Sequence, residues 1–182
     1  MSRLDFTARW QGSLTGAVIG AEFGYLRATD PARFAVSTPA DALGIPLEPI
    51  LEPHEEPGRI NHRKITPFIS LGVRTYLARG GRATPEDFAE ELKNDAAIAG
   101  PVFFWDGIHS VQEVLKEGMH PRLGGFGSTP SGLICAAMPA VGVYHGADPD
   151  YAYLDGVELA SVAQPRLGAD WAGLCAAGLA AA

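Results

Sequence analysis

The chain has 182 residues, of which 47% are hydrophobic and 19% are charged, and these proportions are typical of one soluble domain with a sizeable core. Its net charge is −7 and it has no run of basic residues, which argues against a nucleic-acid-binding surface. The first ten residues, MSRLDFTARW, lack the apolar segment of a signal peptide, so we expect a cytoplasmic protein.

The first predicted element is a helix with glycine at every fourth position. In the stretch Trp10–Gly24 the helical repeat places four glycines on one face: Gly12, Gly16, Gly20 and Gly24. Each glycine inside a helix costs roughly 1 kcal/mol relative to alanine, so we expect this face to be tightly packed in the core. Its apolar run is far shorter than the roughly 20 residues that a bilayer requires, so a membrane-spanning pair is not expected.

The segment after this helix, residues 29–63, is predicted to be irregular. It contains six prolines and the acidic sequence EPHEE. Long loops in a compact domain are often functional, and a linker that wraps over the surface is the alternative.

Four capping residues, each followed by proline, predict the starts of the next helices. A capping side chain before a proline at the first helical position is a start signal. The pairs are Thr66-Pro67, Thr84-Pro85, Thr129-Pro130 and Asp148-Pro149. The predicted helices are Pro67–Ala78, Pro85–Asn94, Pro130–Tyr144 with a kink or break at Pro139, and Pro149–Ala163.

Two further helices are predicted without a proline start. One runs from about Gly107 to Glu117 and stops at Gly118, and the other runs from Ala169 to Ala182. No segment alternates polar and apolar residues as a strand does, so the predicted fold is all-α, with one domain over residues 1–182. The small residues Gly173, Ala177 and Ala181 repeat the spacing of the first helix, and we expect these two helices to pack together.

The two cysteines lie 40 residues apart in alanine-rich segments, at Cys135 and Cys175. A disulfide or a metal-binding pair has little support in such a setting. We therefore expect two buried free thiols.

A glycine-rich loop is the candidate binding segment. It runs from Gly124 to Pro130 (GGFGSTP) and leads into a predicted helix, so its backbone N–H groups suit a phosphate or a sugar oxygen. The candidate substrate-binding residues are Gly125, Gly127, Ser128 and Thr129. No lysine follows as in a P-loop, and no strand precedes as in a dinucleotide-binding fold. A purely structural turn is an equal alternative.

Two carboxylates are the candidate acids or bases. Glu22 lies beside the glycine face of the first helix, and Asp106 lies at a predicted helix start. A carboxylate against a packed helix face is a common place for a shifted pKa, although a solvent-facing role for Glu22 is the alternative. The five histidines show no zinc-binding spacing, so we expect no metal site.

Several segments resemble the ADP-ribosylglycohydrolase family. The stretch Gly12–Gly24 resembles its opening helix, G-x-L-x-G-x-x-x-G-D-A-L-G, and ITPFISLGVRTYLARGG stands where the family has T-D-D-T-x-x-x-L. The segment from Gly132 to HGADPDYAYLDGVELA resembles its later helices. The resemblance implies an all-α bundle that hydrolyses N- or O-glycosidic bonds of ADP-ribose on protein side chains, using two magnesium ions. It also implies a substrate-binding role for Thr66, which keeps the first position of T-D-D-T.

The chain departs from the family at the metal-binding positions. Pro67 and Phe68 replace the two aspartates of T-D-D-T, and Ala21 replaces the aspartate of the opening helix. Neither a proline nor a benzene ring can bind Mg²⁺, so we expect no magnesium site in this chain. The family's C-terminal G-G-D-x-D motif would lie beyond Ala182, so the bundle is expected to be incomplete at its C-terminal end.

Three functions follow as hypotheses. The first is a hydrolase that acts on or binds a ribosyl or nucleoside-type glycosidic substrate without the usual dimagnesium site, since a carboxylate near the sugar needs no metal. The second is a non-catalytic binding or scaffold subunit, and the third is a helical interaction domain. The expected partners are a small ribosyl ligand and a second chain that supplies the C-terminal half of the domain, or else a second copy. Neither nucleic acid nor a membrane is expected.

Overall fold

The structure is a computed structural model that describes residues 62–99 and 107–181. Within these two ranges every regular element is a helix, which confirms the predicted all-α class. The glycine-spaced helix at residues 10–24 and nearly all of the irregular segment 29–63 lie outside the described residues. The two candidate acids, Glu22 and Asp106, lie outside them as well.

Six α-helices and two 3-10 helices form the described part of the chain. They are α1 (His62–Arg79), α2 (Pro85–Lys93), α3 (Ile108–Lys116), the 3-10 helices Pro121–Leu123 and Gly132–Ala137, α4 (Pro139–Tyr144), α5 (Pro149–Ala160) and α6 (Arg166–Ala181). None of these helices has the length and apolar character needed to cross a membrane.

Two predicted cap–proline pairs start helices as expected. At α2, the Thr84 hydroxyl accepts a hydrogen bond from the Asp87 N–H (3.3 Å), and the Asp87 carboxylate accepts one from the Thr84 N–H (2.9 Å). This reciprocal capping box satisfies two backbone donors that the first turn leaves unpaired. At α5, the Asp148 carboxylate accepts a hydrogen bond from the Tyr151 N–H at 3.3 Å.

The end of α3 also follows the prediction. Gly118 has a φ of 91°, a left-handed conformation that glycine adopts without strain. Its N–H donates to the Leu115 carbonyl (3.1 Å), and the Met119 N–H donates to the Val114 carbonyl (2.9 Å). These two bonds form a Schellman motif, which satisfies the last carbonyls of the helix.

The other two cap–proline predictions are wrong. Helix α1 already begins at His62, so Pro67 lies inside it and Thr66 is not its cap. The packing of α1 in the core outweighs the one backbone hydrogen bond that a proline removes. After Thr129-Pro130 no α-helix forms. A 3-10 helix, Gly132–Ala137, is capped by the Ser131 hydroxyl, and a separate helix, α4, begins at Pro139.

The last two helices differ from the prediction in their bounds and in their packing face. Helix α5 ends at Ala160 instead of Ala163, and α6 begins at Arg166 instead of Ala169. Of the predicted small-residue stripe, only Gly173 is buried, and it packs against α5. The rest of the buried face of α6 is formed by Gly168, Ala169, Ala172, Ala176 and Ala180.

A close contact between α1 and the 3-10 helix Gly132–Ala137 fixes the centre of the core. A Cβ atom added at Gly72 would lie far inside van der Waals distance of the Ala137 carbonyl oxygen. Around this contact pack fully buried side chains from several elements, including Phe68, Leu71, Ile134, Met138 and Val141.

We predict that Gly72→Ala lowers the free energy of unfolding by about 1–3 kcal/mol, because the new methyl group overpacks this contact. Gly178→Ala is the matched control, since it also lies inside a helix but a Cβ there meets nothing within 4 Å. It should raise stability by about 0.5–1 kcal/mol. Urea denaturation measures both, and equal stability of the two variants would contradict the described packing.

Candidate functional site

The glycine-rich loop is held against the segment between α5 and α6. A Cβ at Gly124 would overlap the Val162 carbonyl oxygen, and a Cβ at Gly125 would lie 2.5 Å from the Ser161 carbonyl oxygen. The Ser128 hydroxyl contacts the carbonyl oxygens of Gly125 (2.8 Å) and Ala163 (3.1 Å). The glycines and Ser128 are therefore needed for packing of the loop, whatever else they do.

Two of the predicted binding residues line a cavity. Gly125 and Gly127 form part of the wall of a space of about 650 Å³, together with Arg122, Tyr153 and Arg166. Ser128 and Thr129 do not line it. The predicted helix N-terminus is absent here, because the next element is a six-residue 3-10 helix that begins after Ser131.

The arginines of this cavity already lie near carboxylates. Arg122 is 3.8 Å from the Glu86 carboxylate and 3.6 Å from the Glu158 carboxylate. Arg166 is 3.9 Å from the Asp170 carboxylate. The cavity therefore offers an anionic ligand little uncompensated positive charge.

Thr66 and the two residues after it do not form a metal site. Thr66 is exposed on α1, which contributes no residue to the cavity wall. Phe68 is fully buried in the core. The side chains of Pro67 and Phe68 occupy the two positions at which the resemblance to the ADP-ribosylglycohydrolases would require carboxylates. Mg²⁺ binds oxygen ligands, and the side chains of Pro67 and Phe68 contain no oxygen atom. Across the described ranges, no group of three or more His, Cys, Asp and Glu side chains is placed to hold a metal ion.

A buried polar cluster is centred on Asp155, which was not among the predicted site residues. Its carboxylate lies in the middle of α5 with 1% of its surface exposed. Arg82 donates from Nε to both carboxylate oxygens (3.1 and 3.0 Å) and from Nη2 to Oδ1 (2.5 Å). His145 Nε2 lies 2.7 Å from Oδ2.

Three separate segments bring these side chains together. Arg82 lies in the turn between α1 and α2, just after Gly80, whose φ of 68° allows the chain to reverse. His145 follows the last residue of α4, and Asp155 projects from α5. We call Arg82, His145 and Asp155 the Asp155 cluster.

The charges of the cluster keep Asp155 ionised. Burial by itself would raise the pKa of this carboxyl group, but the hydrogen bonds and charges of Arg82 and His145 outweigh burial and hold its pKa below the ordinary value of 3.8. The same pairing raises the pKa of Arg82. An ionised carboxylate therefore accepts every bond in this cluster at neutral pH.

The ionised carboxylate fixes the tautomer of His145. Since a carboxylate can only accept, Nε2 must carry the hydrogen of the 2.7 Å bond. In the neutral ring Nδ1 then holds the lone pair, and within the described ranges no hydrogen bond is made to it. The side chain is 12% exposed. The lone pair on Nδ1 can therefore accept a hydrogen bond from a ligand.

Tyrosine rings surround His145. Tyr144 meets the imidazole edge-on with ring centroids 4.9 Å apart, and Tyr151 stacks on it at 6.4 Å. Both tyrosines are largely exposed, at 45% and 57%. The Tyr76 ring lies 5.0 Å from that of Tyr144, and among the described residues its buried hydroxyl has no hydrogen-bond partner. Burial together with the charge of Asp155 raises the pKa of Tyr76, so it stays protonated.

The backbone beside His145 is strained. Ala147 has a φ of 72°, a left-handed conformation that is unfavourable for alanine. Its N–H donates to the Ala180 carbonyl of α6 at 2.8 Å, which holds the turn between α4 and α5 in place. Such strain is often found at functional sites.

We predict that Asp155→Asn lowers the free energy of unfolding at pH 7 by about 1–3 kcal/mol, because it removes a charge-assisted acceptor from Arg82 and His145. The folded pKa of Asp155 is lowered, so its contribution is complete above 3.8, the unfolded value, and disappears as the pH falls through the folded value. The difference in the free energy of unfolding between parent and variant should therefore disappear over that acid range.

Asp170→Asn is the control, because within the described part of the chain Asp170 makes only the long contacts to Arg166 (3.9 Å) and Tyr153 (3.4 Å). It should change stability by no more than about 0.5 kcal/mol. Chemical denaturation between acid and neutral pH measures both variants. Equal losses of stability in the two variants would contradict the described pairing. A loss of stability in Asp155→Asn that does not depend on pH would contradict it as well.

Comparison with known proteins assigns no family to the chain. No family model, no curated protein and no solved structure matches it. The site is therefore defined by its own chemistry, an ionised carboxylate that orients a histidine among exposed tyrosine rings.

Proposed function

We propose that the chain is a hydrolase of a ribosyl or nucleoside-type glycosidic bond, in which His145 carries the proton. The observation that supports this most is the 2.7 Å bond from His145 Nε2 to the ionised Asp155, which leaves Nδ1 able to exchange a proton. The resemblance of HGADPDYAYLDGVELA to a segment of the ADP-ribosylglycohydrolases supports it as well.

Two proton transfers are needed to break such a bond by water. The neutral imidazole removes a proton from the attacking water at Nδ1, and the imidazolium then gives a proton to the leaving group. Asp155 stabilises the positive charge of the imidazolium between these steps. Because a histidine transfers the protons, these steps require no metal ion and therefore no metal ligands at the positions of Pro67 and Phe68.

The exposed rings of Tyr144 and Tyr151 provide the binding surface. A nucleobase or another flat leaving group can stack on an aromatic ring, which contributes about 1–3 kcal/mol per base. Both rings contact the imidazole, so a group bound on them lies next to the proton carrier. The proposed ligand of this surface is a free nucleoside or an ADP-ribose conjugate.

The oxocarbenium-like transition state also needs a carboxylate near the sugar. Glu22 and Asp106 are the proposed sources, and both lie outside the described residues. Thr66 stays a proposed substrate contact through the resemblance alone.

The glycine-loop cavity has no part in this proposal. The cavity-lining residues Tyr153 and Val157 are each two positions from Asp155 on α5, and two helical positions differ by about 200°. The cavity and the Asp155 cluster thus lie on opposite faces of α5, and no residue of the cluster lines the cavity. Gly125, Gly127, Ser128 and Thr129 are interpreted as structural.

We predict that His145→Gln lowers kcat/KM by about 100- to 10,000-fold, as expected for loss of a general acid–base group. His120→Gln is the matched control: His120 is exposed, and its Nδ1 accepts a hydrogen bond from the nearby Arg122 N–H. Release of free base or ribose from nucleosides and ADP-ribose conjugates, with a chelator present, measures the rate. No turnover by the parent, or full turnover by His145→Gln, would contradict the proposal.

A second candidate function is that of a scaffold subunit, and an exposed apolar stripe on α6 favours it. Leu167, Trp171 and Leu174 are 62%, 59% and 53% exposed. They are spaced by four and three residues, which is the spacing of a helix seam that packs against another helix. We propose that a second copy of this chain packs on this stripe.

Light scattering of the purified chain tests this second candidate. We predict a mass of twice 19.2 kDa for the parent and a monomer for Trp171→Lys, because a lysine in the seam prevents close packing. Leu77→Lys is the control, since Leu77 is 75% exposed on α1 and should leave the dimer intact. A monomeric parent at micromolar concentration would exclude the dimer.

A further inference from the structure

The glycine-loop cavity has a wall that close packing holds in place. A Cβ at Gly125 would overlap the backbone of Gln164, and one at Gly168 would lie 2.6 Å from its Oε1. Gln164 is 3% exposed, and its Oε1 accepts a hydrogen bond from the Ser131 N–H (2.6 Å) while its Nε2 donates to the Ala163 carbonyl (3.0 Å). The cavity of about 650 Å³ therefore exists before a ligand binds, and its volume is typical of a small-molecule site.

Charges of both signs line this cavity, at Arg122, Arg166 and Asp170. The closest described carboxylate oxygens lie 3.6 Å from Arg122 and 3.9 Å from Arg166, which is beyond the range of a hydrogen bond. Asp170 Oδ1 accepts one long bond, from the Tyr153 hydroxyl at 3.4 Å, and no described residue donates to its Oδ2. The donors of both arginines and an oxygen of Asp170 are thus available to a ligand.

The rest of the cavity wall is largely apolar. The Phe126 ring is 91% exposed at the glycine-rich loop, and Tyr153 supplies a second ring. Val157, Pro165 and Ala169 add aliphatic surface. An apolar group bound against these side chains would be removed from water together with the Phe126 ring, which favours binding.

The thiols of the described chain lie outside the cavity. Cys135 is half-buried and Cys175 is exposed, and both are free, so the prediction of two buried free thiols is wrong for Cys175. Neither lines the cavity. The wall supplies charges and rings but no thiol nucleophile, which favours reversible binding over covalent chemistry.

We propose that the glycine-loop cavity binds a free α-amino acid with an apolar side chain. Arg122 and Arg166 bind the ligand carboxylate, since a guanidinium group matches the geometry of a carboxylate, and Asp170 accepts from the ligand ammonium. The apolar side chain packs on the ring of Phe126.

The balance of charge favours this class of ligand. A simple anion is repelled by the carboxylates near the two arginines, and a simple cation is repelled by the arginines themselves. A zwitterion meets a partner for each of its charges. The proposal is independent of the proposed hydrolase activity, because no residue of the Asp155 cluster lines the cavity.

Calorimetric titration of the full chain with L-phenylalanine tests the proposal. We expect saturable binding of one molecule per chain, with a dissociation constant of about 1 mM or below. Phenylpropionate lacks the ammonium group and phenylethylamine lacks the carboxylate. Each should bind at least about tenfold more weakly, because one charge of the wall then has no partner.

Asp170→Asn should weaken the binding of L-phenylalanine at least about tenfold, because the ammonium loses its charged acceptor. Asp150→Asn is the matched control, since Asp150 is exposed on the same helix as Tyr153, does not line the cavity and loses the same charge. Asp170→Asn is expected to keep nearly the stability of the parent, so weaker binding would not reflect unfolding. His145→Gln should bind L-phenylalanine as tightly as the parent, which separates this test from that of the hydrolase.

The parent chain alone can overturn the proposal. Absence of saturable binding up to about 20 mM L-phenylalanine would contradict it. Equal or tighter binding of phenylpropionate or phenylethylamine would contradict it too, as would an unchanged affinity in Asp170→Asn.

Discussion

The buried Asp155 carboxylate is the constraint on which this arrangement depends. A charge with 1% exposure is costly unless it is paired and hydrogen-bonded, so α5 can place an aspartate here only if Arg82 and His145 reach it. Those partners come from the turn after α1 and from the end of α4. One ionised group thus fixes the relative positions of three segments, and it orients the imidazole as a consequence.

The packing of small residues makes this geometry possible. At the α5–α6 interface Gly156 and Gly173 bring the helices so close that a Cβ at Gly156 would lie 2.9 Å from the Gly173 Cα. Close packing of α6 also lets the Ala180 carbonyl accept from the strained Ala147 in the turn after His145. The alanine-rich composition of α6 therefore supports the Asp155 cluster through contacts that involve no charged group.

Local signals in the sequence predicted the elements whose ends are decided by nearby residues. The hydrogen bonds of the capping box at Thr84 and of the turn at Gly118 are made between residues close in sequence. Both helix ends could therefore be predicted from the local sequence. Pro67 misled the prediction, because packing in the core kept α1 continuous through it. The Asp155 cluster was missed because its partners are 73 and 10 residues away, and no spacing rule connects an arginine in a turn to a carboxylate on α5.

Nitrogen-15 NMR of the imidazole ring can measure whether the buried Asp155 carboxylate sets the tautomer of His145. At a pH where the ring is neutral, we expect a protonated Nε2 and a lone pair on Nδ1, because the ionised Asp155 accepts from Nε2. A dominant Nδ1–H tautomer would contradict this pairing. Ring signals that stayed unchanged when Asp155 is replaced by asparagine would contradict it as well.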